Sequence, residues 1–300
     1  MNDKKTLPYL QVDAFTTKTY GGNPCAVVFD ADDLSVAAMQ AIAREMNLSE
    51  TAFVLRSEVA DLRARYFTPA EEIPLAGHPT ISTIYAMIET RRLVPAAPKT
   101  TLRLQLEAGV IDVDVLSDGE WPLITMSQIT PKFLRRYVAS DVMPSFGLSV
   151  SDQLSGAEIV TVSTGTPQLM VPLNSPEALK RAQLNIPAYE KLRKTGDFFS
   201  AHLFVIQGAT DRGQTFARHF GAPPDSFEDP FTGSATGGMA AYLWRFGLID
   251  SPKFIAEQGH WMNRPGEAFV EVIGERDAIE TVKVGGYAVK VMSGELIVPD

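Results

Sequence analysis

The 300-residue sequence has almost no cysteine, no surplus of positive charge and no long apolar run. Its one cysteine, Cys25, excludes a disulfide within the chain and disfavours a cysteine-based metal site. No apolar stretch approaches the roughly 18 to 20 residues of a membrane span, and the first residues lack the apolar core of a signal peptide. We therefore expect a cytoplasmic protein with no membrane partner.

Positive charge is scarce because 27 Lys and Arg stand against 36 Asp and Glu, for a net charge of −9. A protein without a basic surplus is poorly suited to neutralise phosphates, so we expect no nucleic-acid partner. Apolar residues make up 45% and charged residues 21%, which is typical of a globular chain. The length accommodates one large domain or two of ordinary size.

A short phrase occurs twice, once in each half of the chain. PLAGHPT at residues 74–80 has its counterpart 156 residues later in PFTGSAT at 230–236, with Pro, Gly and Thr in matching places. RYF at 65–67 and RHF at 218–220 precede the two copies and lie 153 residues apart, which indicates a three-residue insertion between the two matches. Each copy predicts a strand, a loop with proline, a tight glycine turn and a helix, and the shared order indicates an internal duplication.

The pattern of apolar residues predicts an α+β fold with one helix in the middle of each half. GHPTISTIYAMIETRR, residues 77–92, has apolar side chains at i, i+3, i+4 and i+7. GSATGGMAAYLWRFG, residues 233–247, predicts the second helix, which ends at its last glycine. Alternating apolar residues elsewhere predict strands. We predict an N-terminal half at 1–130 and a C-terminal half at 131–300, with the last strand or helix of the chain allowed to cross over.

The two helix starts are candidate binding sites for an anion. Gly77 and Gly233 let the backbone turn tightly and approach a ligand, and the first-turn N–H groups with the helix dipole favour a carboxylate. Alone, either start is explained as an ordinary helix N-terminus in which Thr80, Ser234 or Thr236 is the cap. Two such starts that face one cleft favour a site for a small acid.

Three titratable residues near these phrases are candidates for catalysis, and each has a structural alternative. His78 lies at a helix start, where the dipole disfavours imidazolium, although a lone histidine is more often a packing residue. Asp229 could accept a hydrogen bond from a substrate hydroxyl or ammonium, or simply form an Asx turn before Pro230. Glu50, within NLSETAFV at 47–54, could act as a general base or lie solvated at a helix–strand junction.

Longer phrases extend the comparison to the whole chain. VDAFTTKTYGGNPCAVV, NLSETAFV, RYFTPAEEIPLAGHPT and EDPFTGSATGGMAAYL occur in the order and spacing of the PhzF-like family, which is named for the phenazine-biosynthesis isomerase. The chain resembles this family over about 10–298. The resemblance implies the diaminopimelate-epimerase-like fold, in which two pseudo-symmetric halves each form a barrel-like sheet around a central helix. It further implies an active site in the cleft between the halves, a homodimer, and no cofactor or metal.

The resemblance also assigns roles to individual residues. Glu50 matches the glutamate that moves a proton on trans-2,3-dihydro-3-hydroxyanthranilate, and His78 and Asp229 match the other catalytic positions. The positions matched to substrate binding are Asn23, Gly77, Gly233 and Ser234.

Two positions depart from the wider superfamily. Its epimerases and racemases use two cysteines, each just before the glycine of the repeated phrase, where this chain has Ala76 and Thr232. This difference disfavours a two-thiol mechanism and favours proton transfer by one base, Glu50. We therefore expect a cofactor-independent isomerase that acts on a small carboxylate-bearing metabolite. An epimerase or dehydratase of another small amino or hydroxy acid, and a non-catalytic protein that binds a small acid, remain open alternatives.

Overall fold

The computed structural model of the protein describes residues 5–221 and 228–299. The chain forms two compact units, of which unit 1 comprises residues 1–127 and 285–300 and unit 2 comprises residues 128–284. The C-terminal segment therefore belongs to the same unit as the N-terminal one. Within the described ranges, no helix is long and apolar enough to cross a membrane.

Strands account for most of the regular structure. Their bounds are β1 (Thr6–Ala14), β2 (Asn23–Val28), β3 (Glu50–Leu55), β4 (Leu62–Phe67), β5 (Glu72–Ile73), β6 (Lys99–Leu106), β7 (Gly109–Leu116), β8 (Leu123–Ser127), β9 (Lys132–Tyr137), β10 (Ile159–Ser163), β11 (Pro167–Pro172), β12 (Ser200–Val205), β13 (Thr215–Phe220), β14 (Lys253–Gln258), β15 (Gly266–Glu275), β16 (Ala278–Gly286) and β17 (Ala288–Ile297). The α-helices are α1 (Val36–Met46), α2 (Gly77–Glu89), α3 (Ala139–Val142), α4 (Pro176–Arg181), α5 (Ile186–Thr195) and α6 (Gly233–Arg245).

In unit 1 the paired strands lie in the order β17-β1-β2-β3-β4-β6-β7-β8. All neighbours are antiparallel except β2–β3 and β4–β6, which are parallel. Parallel neighbours need a crossover connection, and the crossovers contain α1 and α2, respectively. The short β5 also pairs with β4.

Helix α2 forms the centre of unit 1. Ten of its thirteen residues are buried, and it packs against β17, β1, β2, β3 and β8, which come from both ends of the strand order. The sheet therefore curves around the helix. A helix covered on most sides needs small or apolar residues all round, and the run from Thr80 to Ala86 supplies them.

Unit 2 has the same arrangement. Its strands pair in the order β9-β10-β11-β12-β13-β14-β15, again antiparallel except for β11–β12 and β13–β14. The crossovers between these parallel pairs contain α4 with α5, and α6. Helix α6 has ten buried residues of thirteen and packs against β10, β11 and β15. A further apolar core lies on the other side of β12 and β13, where α4 packs.

The sequence repeat has a structural counterpart in each unit. Strands β4 and β13 are both six residues long and start 153 positions apart, whereas α2 and α6 are both thirteen residues long and start 156 positions apart. The predicted three-residue insertion thus falls between strand and helix. The predicted α+β fold of two similar halves, each with a sheet around a central helix, is confirmed.

Candidate active site

The start of α2 has no side-chain cap, because its N-cap residue is Ala76, which has no side-chain acceptor, so the N–H groups of Gly77 and His78 receive no capping side chain. Thr80, one turn later, donates its hydroxyl hydrogen back to the Ala76 carbonyl at 2.8 Å instead of capping the N–H groups. The helix dipole adds partial positive charge at this end. These features are compatible with carboxylate binding, and the substrate-binding role that the sequence predicts for Gly77 stays a prediction.

Glu50 and His78 meet at this helix start. Glu50 is the first residue of β3, and the parallel register places it beside Cys25 of β2. His78 Nε2 lies 3.1 Å from Glu50 Oε2, although the ring N–H is not aligned on that oxygen. The His78 side chain is only 5% exposed and the Glu50 side chain 19%, so the carboxylate is the member of the pair that a substrate can reach.

Burial governs the charge of His78. Removal from water lowers the pKa of the imidazole to about 3, and the nearby Pro24 carbonyl opposes this effect only in part. The ring is therefore neutral near pH 7. Its second nitrogen, Nδ1, lies 3.1 Å from Asn23 Nδ2. Asn23 is itself fully buried, and the predicted substrate-binding role of Asn23 remains a prediction.

Cys25 lies beside the site, but its thiol is expected to be unreactive. Burial raises the pKa of its thiol, and the negative charge of Glu50 raises it further. A thiol that stays protonated is a poor nucleophile and a poor base. Cys25 is also not at either helix start, where Ala76 and Thr232 stand. The cysteine is therefore a core residue of β2.

In unit 2, Asp229 is held just before the start of α6. Its backbone N–H donates to the His219 carbonyl at 3.0 Å, and Gln258 Nε2 donates to the Asp229 carbonyl at 2.7 Å. The Thr232 hydroxyl donates to Asp229 Oδ2. Gln258 also accepts from the Thr232 N–H through Oε1 at 3.2 Å. The segment that carries Asp229 is therefore fixed from three directions.

Gly233 and Ser234 form the first turn of α6. Gln128 Nε2 donates to the Gly233 carbonyl at 2.9 Å, and the Thr164 hydroxyl donates to the Ser234 carbonyl at 3.3 Å. The Ser234 side chain is half-buried. As in α2, a threonine one turn on, Thr236, donates to the carbonyl of the N-cap residue at 2.9 Å.

An Arg–Glu pair recurs before both helix starts. Arg65 of β4 donates to Glu72 through two nitrogens at 2.7 and 2.6 Å. Arg218 of β13 donates to Glu228 in the same way at 2.8 and 2.7 Å. All four side chains are largely buried. In each pair the glutamate lies five residues before the first residue of the helix, so the ion pair links the strand to the loop that leads into the helix. The duplicated phrase therefore includes a duplicated Arg–Glu ion pair.

A buried polar chain in unit 2 was not predicted from the sequence. The Ser200 hydroxyl donates to Gln168 Oε1 at 2.5 Å, which leaves Ser200 Oγ to accept from His219 Nε2 at 2.9 Å. His219 Nδ1 must then accept from His202 Nδ1 at 3.3 Å. Burial lowers the pKa of His219 to about 3, and burial together with His219 holds the pKa of His202 well below its usual value. The sequence gives only a weak indication of this chain. When the two copies of the repeat are aligned, His219 of RHF takes the position of Tyr66 of RYF.

The predicted site residues thus gather within their own units. Unit 1 brings together Glu50, Gly77, His78 and Asn23, while unit 2 brings together Asp229, Gly233 and Ser234. Among the described residues, no group of three or more His, Cys, Asp or Glu is placed to hold a metal ion.

Comparison with known proteins identifies the family. Residues 12–294 match the family model PhzC-PhzF, described as phenazine biosynthesis-like protein. The chain is 33% identical over 294 residues to the trans-2,3-dihydro-3-hydroxyanthranilate isomerase of Pseudomonas chlororaphis, covering 96% of this chain and 99% of that protein. It is also 33% identical to an uncharacterized isomerase of Bacillus subtilis (strain 168), over 89% of this chain and 91% of that one.

Solved structures agree with this result. A Bacillus anthracis phenazine biosynthesis protein of the PhzF family has a TM-score of 0.89 at 33% identity and covers 98% of this chain and 100% of its own. A hydroxyproline epimerase from Agrobacterium vitis has a TM-score of 0.68 at 12% identity, over 100% of this chain and 95% of its own, and shares the fold alone. The fold is thus of the diaminopimelate-epimerase type. The chain is an isomerase that belongs to the PhzC-PhzF family of phenazine biosynthesis-like proteins.

Proposed function

We propose that the protein moves a proton between two carbons of a small carboxylate-bearing metabolite without a cofactor, and that Glu50 both removes and returns this proton. The observation that carries the proposal is the 3.1 Å contact of Glu50 Oε2 with His78 Nε2 at the start of α2. The relative in Pseudomonas chlororaphis suggests trans-2,3-dihydro-3-hydroxyanthranilate as the substrate.

Glu50 has the surroundings that such a base needs. Its backbone is fixed at the start of β3, and its side chain is partly open to solvent while its contact with His78 is buried. The carboxylate takes a proton from one carbon, and the electron pair of that C–H bond enters the unsaturated substrate. Glu50 then gives the proton to a second carbon. Atoms and electrons balance within the substrate, so the step consumes no oxidant or reductant.

His78 supports this step as a neutral group. An imidazole whose pKa is about 3 stays uncharged at pH 7 and is a poor proton donor to carbon. The ring nitrogen lies close to Glu50 without an aligned hydrogen bond. Hydrogen bonds that are loose in the free enzyme tighten when substrate binds, and an Nε2–H that aligns on Glu50 would then hold the carboxylate in place. The α2 dipole stabilises negative charge that develops on the substrate.

Four other predicted residues, Gly77, Asp229, Gly233 and Ser234, are proposed to bind the substrate. The uncapped N–H groups at Gly77 suit the substrate carboxylate. Asp229 suits a hydroxyl or an ammonium group, and Gly233 and Ser234 suit polar substrate atoms through the first turn of α6. If Asp229 binds and does not transfer protons, Asp229→Asn will raise KM more than it lowers kcat.

The test is conversion of trans-2,3-dihydro-3-hydroxyanthranilate by wild type, Glu50→Gln and Glu45→Gln. Glu45 is an exposed acid on α1 of the same unit, so Glu45→Gln is a matched loss of one carboxylate. We expect Glu50→Gln to lower kcat by about 10²- to 10⁴-fold, the usual contribution of an acid–base group, and Glu45→Gln to leave it unchanged. Full activity of a folded Glu50→Gln enzyme would refute the role of Glu50, whereas inactivity of wild type would refute this substrate.

A further inference from the structure

Asn23 is held in one orientation behind the candidate site. It is the first residue of β2 and pairs with Ala14, and its side chain has no exposure to solvent. The preceding residue, Gly22, has φ 49, and a Cβ there would lie 1.9 Å from the Ala14 carbonyl oxygen. Only glycine fits this turn, which fixes the position at which Asn23 enters the strand.

The Asn23 amide lies between Ser49 and His78. The Ser49 hydroxyl donates to Asn23 Oδ1 at 3.5 Å, and Asn23 Nδ2 lies 3.1 Å from His78 Nδ1. The amide oxygen therefore faces Ser49, and the amide nitrogen, which carries only donor hydrogens, faces the ring. A donor at this position requires His78 Nδ1 to accept.

A neutral imidazole has one N–H, so an accepting Nδ1 places the proton on Nε2. Nε2 is the nitrogen that lies 3.1 Å from Glu50 Oε2. In this tautomer the proton lies on the ring nitrogen nearest the carboxylate, so a small rotation aligns the N–H on Glu50 Oε2. In the other tautomer Nδ1 carries the proton and a lone pair on Nε2 faces the negative oxygen, which repels it.

The second tautomer has a competing acceptor. The Pro24 carbonyl acts on the His78 ring in the direction that favours additional protonation, so a backbone acceptor competes for a ring proton. The choice between the tautomers therefore depends on which group occupies the space at Nδ1. Asn23 occupies it as a donor.

We propose that Asn23 is a positioning residue that fixes the Nε2–H tautomer of His78 and, through it, the orientation of the Glu50 carboxylate. The proposal rests on Glu50 as the proton-transferring group. It differs from the sequence-based assignment of Asn23 to substrate binding, since a fully buried amide that contacts His78 acts through that ring. The expected signature of Asn23 substitution is a loss in kcat with little change in KM.

The first experiment observes the tautomer directly and needs no substrate. Protein with ¹⁵N-labelled histidine is studied by long-range ¹H–¹⁵N correlation NMR, which shows the nitrogen that carries the proton. His78 is assigned by its loss in His78→Gln. We expect Nε2–H in wild type, and a shift to Nδ1–H in Asn23→Ala and Asn23→Asp, because alanine removes the donor and aspartate offers an acceptor. If the buried aspartate prevents folding, Asn23→Ala alone decides.

The second experiment separates positioning from general stability. Thr51, beside Glu50, is buried, and its hydroxyl makes no hydrogen bond to the residues that the structure describes. Thr51→Val is therefore a matched polar deletion, and we expect it to keep the tautomer and the kcat of wild type. We expect Asn23→Ala to lower kcat by about 100-fold, the cost of a misplaced catalytic group, with KM within about threefold.

The outcomes distinguish this proposal from the proposed function. Nδ1–H in wild type, or Nε2–H retained in Asn23→Ala, would overturn the role of Asn23 and leave Glu50 untouched. The expected tautomers together with an inactive wild type would support Asn23 and refute the substrate. A tautomer shift with unchanged kcat would also overturn the proposal, because the ring would then not govern Glu50.

Discussion

Mild acid should destabilise unit 2 well above the pH at which its carboxylates titrate, because His202 and His219 are buried without charge. Burial lowers the pKa of His219 from 6.5 to about 3 and lowers that of His202 in the same direction. Unfolding returns both rings to water, where they bind protons below pH 6.5. The folded state therefore keeps its full advantage above pH 6.5 and loses it as the pH falls from 6.5 towards 3.

The size of the effect follows from this difference in proton binding. Between pH 7 and pH 5, His219 alone lowers the free energy of unfolding by about 2 kcal/mol, and His202 adds to the loss. Asp152 and Asp197, whose pKa values are lowered from 3.8, make their contributions at lower pH. Globular proteins typically have a free energy of unfolding of about 5 to 15 kcal/mol, so a loss of this size is a large fraction of the total.

The assay is urea unfolding at pH 7 and pH 5, followed by tryptophan fluorescence. In a Trp121→Phe background the remaining tryptophans, Trp244 and Trp261, lie in unit 2. We expect His219→Gln to be less stable than its parent at pH 7 but to lose about 2 kcal/mol less on going to pH 5. Leu203→Ala, a buried control on β12, should be destabilised with an unchanged pH dependence. Equal pH dependence in His219→Gln and its parent would refute the argument.

Three further perturbations test other features of the structure. Glu228→Gln removes the carboxylate from the largely buried Arg218 and should destabilise unit 2 by about 2 kcal/mol in urea unfolding. Gly237→Ala places a Cβ 1.9 Å from Gln128 Oε1 and should cost about 1 to 3 kcal/mol, much of it recovered in the double variant with Gln128→Ala. Cys25→Ala should keep kcat within about twofold of wild type, since the buried thiol is protonated.

Controls make these outcomes decisive. Glu271→Gln breaks the exposed pair with Lys253 and should cost less than about 1 kcal/mol. Gly119→Ala meets its nearest atom at 3.7 Å and should be tolerated. If Glu228→Gln destabilises the protein no more than Glu271→Gln does, the Arg218–Glu228 ion pair does not stabilise unit 2 as proposed. A loss of activity in Cys25→Ala at unchanged stability would contradict one-base transfer by Glu50.

The repeated part of the fold could be predicted from the sequence because its signals are local. Glycine, proline and helical periodicity mark the starts of α2 and α6, and the offsets of 153 and 156 residues reappear in the bounds of strand and helix. Pairing between distant strands leaves no such local mark. The parallel register of β2 with β3, which sets Cys25 beside Glu50, therefore emerged only from the structure.

The same distinction applies to the site. Glu50, His78 and Asp229 were found through motifs, because each belongs to a compact phrase. The contact of Asn23 with His78 joins residues 55 positions apart, and that of Ser200 with His219 joins residues 19 apart. Polar partners of this kind are selected by burial, since a buried donor or acceptor needs a partner. Which polar side chains are buried, and therefore which of them need a partner, can be seen only in the folded structure.

Proton abstraction by Glu50 is tested most directly by deuterium exchange. Trans-2,3-dihydro-3-hydroxyanthranilate is incubated in D₂O with wild type or Glu50→Gln, and proton NMR follows exchange at carbon in both substrate and product. The proposed mechanism predicts conversion by wild type, with deuterium at the newly protonated carbon to the extent that the proton held by Glu50 exchanges with D₂O before it returns, and neither conversion nor exchange with Glu50→Gln. Deuterium incorporation by folded Glu50→Gln at the wild-type rate would contradict it.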